Sequence, residues 1–168
     1  MFRYSKLVVA VMAFTASSGL VQPSFGQEGA AQSFARKAAV SNRFEIDAAK
    51  IALEKGKDQS AMKFAQDMMN DHSESLVELE EAAKAENVSI PATLDPDNTA
   101  KLAALNKAPT TDFDQAYLST QVAAHEDAVR MFMAYSKDGP DGALKNYATK
   151  TVGTLRTHNI RIHGLTHQ

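Results

Sequence analysis

Residues 143–165, ALKNYATKTVGTLRTHNIRIHGL, place Leu144, Ala148, Thr151, Leu155, His158, Ile162 and Leu165 at alternating steps of four and three. That spacing gathers them on one side of an α-helix and predicts a face turned inward along its whole length. Residues 62–83 repeat the pattern through Met62, Ala65, Met69, His72, Leu76, Leu79 and Ala83, and a third stripe joins Leu118, Val122, His125, Val129 and Phe132. Each of the three faces carries one histidine. In a fourth segment Glu45 lies on a small-residue stripe, Ala38, Ser41, Glu45, Ala48 and Ala52, with Phe44 and Ile51 on a neighbouring one.

Turn chemistry separates these faces. Pro91, Pro96, Pro109 and Pro140 all fall between periodic segments, and no alternating run of strand length occurs. A first helix is expected over about Ala31–Lys55, ending at Gly56, which suits a left-handed position after a helix. A second runs from about Asp58 to Glu86, stopped by Asn87 and Pro91. Asp95-Pro96 reads as an N-cap with Pro at the first helical position, opening a short helix through Asn106. Thr111 or Asp112 caps a helix to about Ser136. After the turn Asp138–Gly142, the last helix covers about Ala143–Leu165. Tight turns after the first and fourth segments make two helical hairpins, and the link Asn87–Thr111 is long enough to cross between them. The fold class is therefore all-α: a four-helix bundle, ferritin-like, with one long crossover carrying a short extra helix.

The 168 residues contain no Cys, which excludes thiolate metal sites, Cys nucleophiles and a lipid-modified cysteine. A net charge of −2 gives no electrostatic footprint of nucleic-acid binding. The N-terminus has the three-part layout of a secretory signal peptide: Arg3 and Lys6, an apolar run Leu7–Val21, then Pro23 with small Ser24 and Gly26. The apolar run is about 15 residues, short of the roughly 20 that a spanning helix needs. Cleavage is expected after Gly26, leaving residues 27–168 as a single helical domain with no transmembrane segment. Residues 1–26 hold two cations and no acid, so the rest carries 16 of the 18 cations against all 20 acids. The expected location is the bacterial periplasm.

His72, His125 and His158 on three inner faces, with Glu45 on the fourth, make a set that can hold one transition-metal ion. A hydrogen-bonded polar layer accounts for the same residues, because buried polar groups must be paired either way. Counting from the turns, Glu45 and His72 differ in level by about four residues, near 6 Å, and His125 and His158 by roughly six, near 9 Å. A ferritin-type di-metal centre is disfavoured, since it needs Glu-x-x-His on two helices. The residues three before each histidine are Met69, Val122, Leu155, Ile160 and Gly164, none acidic. The methionines at helical spacing read as core filler, and no nucleophile elbow or phosphate loop is present.

Asn42–Ala49 (NRFEIDAA), Lys63–Leu76 (KFAQDMMNDHSESL), the segment Phe113-Asp114-Gln115-Ala116-Tyr117-Leu118, His125 before Val129 and Phe132, and the late His158 together resemble one exported bacterial family. It is the domain of unknown function numbered forty-one forty-two, often labelled a predicted outer-membrane protein. The resemblance spans about Gln32–Leu165 and implies a ferritin-like helical bundle, with no established activity or catalytic residue. Asp71 and Asp114 fit structural tasks, fixing an imidazole tautomer or capping a neighbouring segment. The expected role is non-enzymatic: an exported bundle that binds an envelope partner or serves a stress response. The alternative is a metal-binding bundle built on His72, His125, His158 and Glu45. A redox enzyme on a ferritin-like scaffold stands third, opposed by the missing Glu-x-x-His.

Overall fold

The computed structural model describes residues 25–166. The expected signal peptide, apart from its last two residues, lies outside the described residues. Five helices follow in order: α1 Phe25–Lys55, α2 Gln59–Ala85, α3 Pro96–Lys107, α4 Phe113–Asp138 and α5 Ala143–Thr166, with no strand among the described residues. The observed start of α1 lies before the expected Ala31, since Gln27–Ala30 contains no helix-breaking Pro.

Local chemistry sets the ends. Asp58 caps α2 by accepting from the Ala61 N–H at 2.8 Å, and Asp95 caps α3 by accepting from Asn98 N–H at 2.7 Å, with Pro96 at the first position. α2 closes at Asn87, whose φ of 56° lets the Val88 N–H reach back to the Ala83 carbonyl. Gly56 does not take the expected left-handed conformation. Glycine is required there by crowding: a Cβ would stand 2.6 Å from the Ala52 carbonyl oxygen and 3.1 Å from Asp114 Oδ1.

Two carboxylates tie the hairpins together end to end. Asp114, at the start of α4, accepts from the backbone N–H groups of Lys57 at 3.1 Å and Asp58 at 3.0 Å, which open α2. Glu86, at the end of α2, accepts from the Leu144 N–H at 2.7 Å at the start of α5. Both place negative charge on the positive end of a helix. They also decide the topology. α2 and α4 begin at the same end of the bundle and α5 begins at the other, so α2 and α4 run parallel on one diagonal. α1 packs on α2 and α4, α5 packs on α4 and α2, and α3 lies along α1 within the crossover.

The interior has three levels. One apolar cluster holds Phe34, Leu79, Phe132, Leu144 and Leu155; another, towards the α1–α2 turn, holds Phe44, Phe64, Met68, Phe113, Tyr117 and Ile162. Between them lie the buried polar residues Asn42, Glu45, His72, Gln121, His125 and His158. The inner face of α2 is rotated from the expected stripe in its first half: Phe64 and Met68 are fully buried, whereas Met62 and Met69 are half-buried. In α4, Gln121 and Ala128 face inward and Val122 and Val129 stand at the edge. The reason is polar: Gln121 supplies a partner for Glu45.

Candidate metal centre

The end clamps bring the histidines to one height. His72 is thirteen residues past Gln59 and His125 twelve past Phe113, at the two helix starts that Asp114 holds together. The expected six-residue mismatch between His125 and His158 shrinks to two, because α4 continues to Asp138 and α5 begins at Ala143. The ring centroids are 5.7 Å apart for His72–His125, 5.8 Å for His72–His158 and 5.5 Å for His125–His158. One nitrogen from each ring lies within 4.8 Å of the others. The residues are 4%, 1% and 6% exposed for His72, His125 and His158.

Each ring is held from behind by an acceptor. His72 Nδ1–H donates to Asn42 Oδ1 at 2.8 Å, His125 Nδ1–H to the Gln121 carbonyl at 3.0 Å, and His158 Nε2–H to Asp71 Oδ2 at 2.9 Å. The Asn42 amide is oriented in turn, its Nδ2 donating to the Tyr147 hydroxyl at 3.2 Å. An acceptor on one ring nitrogen sets the tautomer and leaves a lone pair on the other. Those other nitrogens, Nε2 of His72, Nε2 of His125 and Nδ1 of His158, are buried and have no hydrogen-bond partner. Three such lone pairs in a low-dielectric layer are unfavourable as they stand, and a hydrogen-bonded layer would have paired them. Oriented imidazoles with the outer N–H bound to a carboxylate or carbonyl are the arrangement of metal-ligating histidines.

Glu45, expected as a fourth ligand, stands outside this cluster. It lies one turn nearer the α1–α2 end, where its Oε2 accepts from Gln121 Nε2 at 2.6 Å and its Oε1 is 3.7 Å from His125 Nδ1, the ring nitrogen already occupied. An ion held at about 2.0–2.1 Å would need ligand nitrogens about 3.4 Å apart, closer together than the 4.8 Å that spans these three.

Burial governs protonation. It holds His72 well below the usual imidazole range, reinforced by His125 and His158, and lowers His158 against the opposing pull of Asp71. Burial raises the Glu45 carboxyl, against His125 and Gln121. The signs oppose one another. Stability from the neutral histidines is complete above the unfolded value of 6.5 and is lost as pH falls towards their lower folded values. Stability from protonated Glu45 is complete below 4.5 and is lost as pH rises through its raised folded value. In metal-free protein, Glu45→Gln is therefore expected to gain on the parent as pH rises from 4.5 to 7.5. Urea midpoints at the two pH values measure it, and an unchanged difference would contradict a buried, reluctant carboxylate.

Residues 20–165 match the family model described as a domain of unknown function (DUF4142). The chain belongs to the DUF4142 family. No curated protein matches it. This DUF4142 chain is similar in structure to a DUF305 fragment from Deinococcus radiodurans, known from a crystal structure. The TM-score is 0.70 at 17% identity, over 82% of this chain and 95% of that one. At that identity the likeness concerns the helical fold alone. No helix among the described residues of the DUF4142 chain is long and apolar enough to cross a membrane.

Sequence reasoning put the three histidines on inner faces, where they lie, and left tautomer-fixing or capping open for Asp71 and Asp114; Asp71 bonds His158 and Asp114 caps the start of α2. It missed the supporting parts played by Asn42, Gln121 and Tyr147. Asn42 carried a signal: a mid-helix Asn three residues before Glu45, beside an alanine-rich inner stripe, is costly unless it has a buried partner.

Proposed function

We propose that this DUF4142 protein is an exported helical bundle that holds one divalent transition-metal ion at His72, His125 and His158. One observation carries the proposal: three buried imidazoles, each fixed through one nitrogen, keep the other nitrogen unpartnered, and their ligand atoms come within 4.8 Å of one another. It moves the metal-binding alternative ahead of an envelope-binding or stress-related role, because the histidine layer is where the interior is chemically incomplete. Neutral imidazoles without thiolate suit Zn(II) and Cu(II), with Cu(II) the tighter of the two. The N-terminal layout supports export. Glu45 and Asp71 act behind the ligands, with Asp71 raising the basicity of His158.

The test is titration of the untagged chain, purified without chelator and then made metal-free, with Zn(II) and Cu(II), alongside His72→Ala/His125→Ala. One equivalent is expected to bind the parent, with affinity falling by at least about 100-fold in the variant. Absence of stoichiometric binding in the parent would return the histidines to a purely structural role.

A further inference from the structure

The three-histidine layer is enclosed, and on one side Asp71, bonded to His158, carries it to the surface. On α2, Asp67, Asp71, Glu74 and Glu78 form a stripe at steps of four, three and four, facing α5. Across the seam stand Arg161, His158, Thr154 and Lys150. Arg161 Nη1 lies 2.5 Å from Asp67, His158 Nε2 lies 2.9 Å from Asp71, and Lys150 Nζ lies 2.6 Å from Glu78. Glu74 has no ion pair of its own and shares the field of Lys150 with Glu78. The seam opens there into a cleft of about 330 Å³, lined by Asp71, Glu74, Ser75 and Glu78 from one side and Lys150, Thr151 and Thr154 from the other.

No imidazole lines the cleft, but its wall is hydrogen-bonded to two of the three through the residues that orient them. Of the residues that orient the rings, Asn42 and Gln121 are buried, whereas the Asp71 side chain is 46% exposed. The bond from His158 to Asp71 is thus the link between the layer and solvent. Ser75, in the same wall, shares a 2.7 Å hydrogen bond with the Tyr147 hydroxyl, which accepts from Asn42, the residue that holds His72. His125 lies on the opposite side, behind Phe64 and the Glu45–Gln121 pair.

Resting on the metal-binding reading above, we infer that the ion enters and leaves through this α2–α5 cleft, with Asp71 as its gate. The bridges on either side join full charges, while the middle rung pairs a carboxylate with a neutral imidazole. Turning a half-exposed Asp71 into water costs little, and it frees the His158 ring to swing towards the opening. Three carboxylates, Asp71, Glu74 and Glu78, line the cleft against one ammonium, Lys150, so its net charge attracts cations and repels anions. Thr151 and Thr154 add no competing charge.

The experiment follows Co(II) loading of the metal-free full chain in stopped flow, by its visible absorption, at low and high salt. Glu74→Gln is expected to load roughly three-fold more slowly than the parent at low salt, and Thr154→Lys about ten-fold more slowly. Both retain the parental stoichiometry, and both differences shrink at high salt. Glu54→Gln, an exposed acid on α1, loads like the parent. Parental loading rates in both cleft variants would overturn the route while leaving the centre intact. A parent that takes up no ion defeats the underlying reading, and the route with it. Glu74→Gln changes one exposed side chain, so the test survives if Thr154→Lys folds poorly.

Discussion

His158→Leu should leave the metal-free protein as stable as the parent or more so, and should remove its response to metal. Leucine has nearly the volume of histidine and brings no lone pair into the layer. The unpartnered Nδ1 of His158 disappears, and the half-exposed Asp71 carboxylate returns to water. Relief of one unsatisfied buried acceptor is worth about 1 kcal/mol. Zn(II) at about 100 times its dissociation constant should stabilise the parent by about 2.7 kcal/mol, which raises its melting temperature by about 5–10 °C for a domain of this size. The variant should gain almost nothing. If the histidines were a finished hydrogen-bonded layer, the signs would reverse: the substitution would destabilise, and metal would move neither protein. Melting curves of the two proteins with and without Zn(II) separate these outcomes.

Phe64→Ala should cost far more. Phe64 is fully buried in the apolar cluster below the histidines, with its ring edge-on to His125 at 6.0 Å and the Arg161 guanidinium 5.3 Å above it. Deleting a buried phenyl ring loses its transfer free energy and leaves a cavity among Phe113, Tyr117 and Ile162, together about 3–5 kcal/mol. That is a large share of the 5–15 kcal/mol typical of a whole domain and lowers the melting temperature by about 10 °C. Because Phe64 also walls off His125, the variant should exchange bound metal faster. Phe64→Leu should recover most of the stability. A Phe64→Ala protein that melts within about 2 °C of the parent would mean the cluster is far looser than its burial implies.

The two variants act on different levels of one interior. The apolar clusters supply the stability. The polar layer between them costs stability in metal-free protein, and the ion is what would repay it. Two consequences follow for the rest of the molecule. Asp114 and Glu86 matter beyond the caps they provide, since a slip of either hairpin would carry the histidines to different heights. Asn42 and Gln121 decide which nitrogen His72 and His125 present.

The amino-acid sequence determined the helical class, the helix ends to within two residues except the start of α1, the long crossover and the inner positions of His72, His125 and His158. These follow from local rules: the 3.6-residue period, the caps at Asp58 and Asp95, and the prolines between segments. Level and orientation were decided only by the tertiary structure. The heights of His72, His125 and His158 depend on the clamps Asp114 and Glu86, which act between residues 56 to 58 positions apart. The free nitrogen on each ring depends on its acceptor. For His72 that is Asn42, 30 residues away, and for His158 it is Asp71, 87 residues away. A period read along one helix contains no term for a bond to another, so a turn count could place Glu45 among the ligands. The packed helices set it one turn below them, against Gln121.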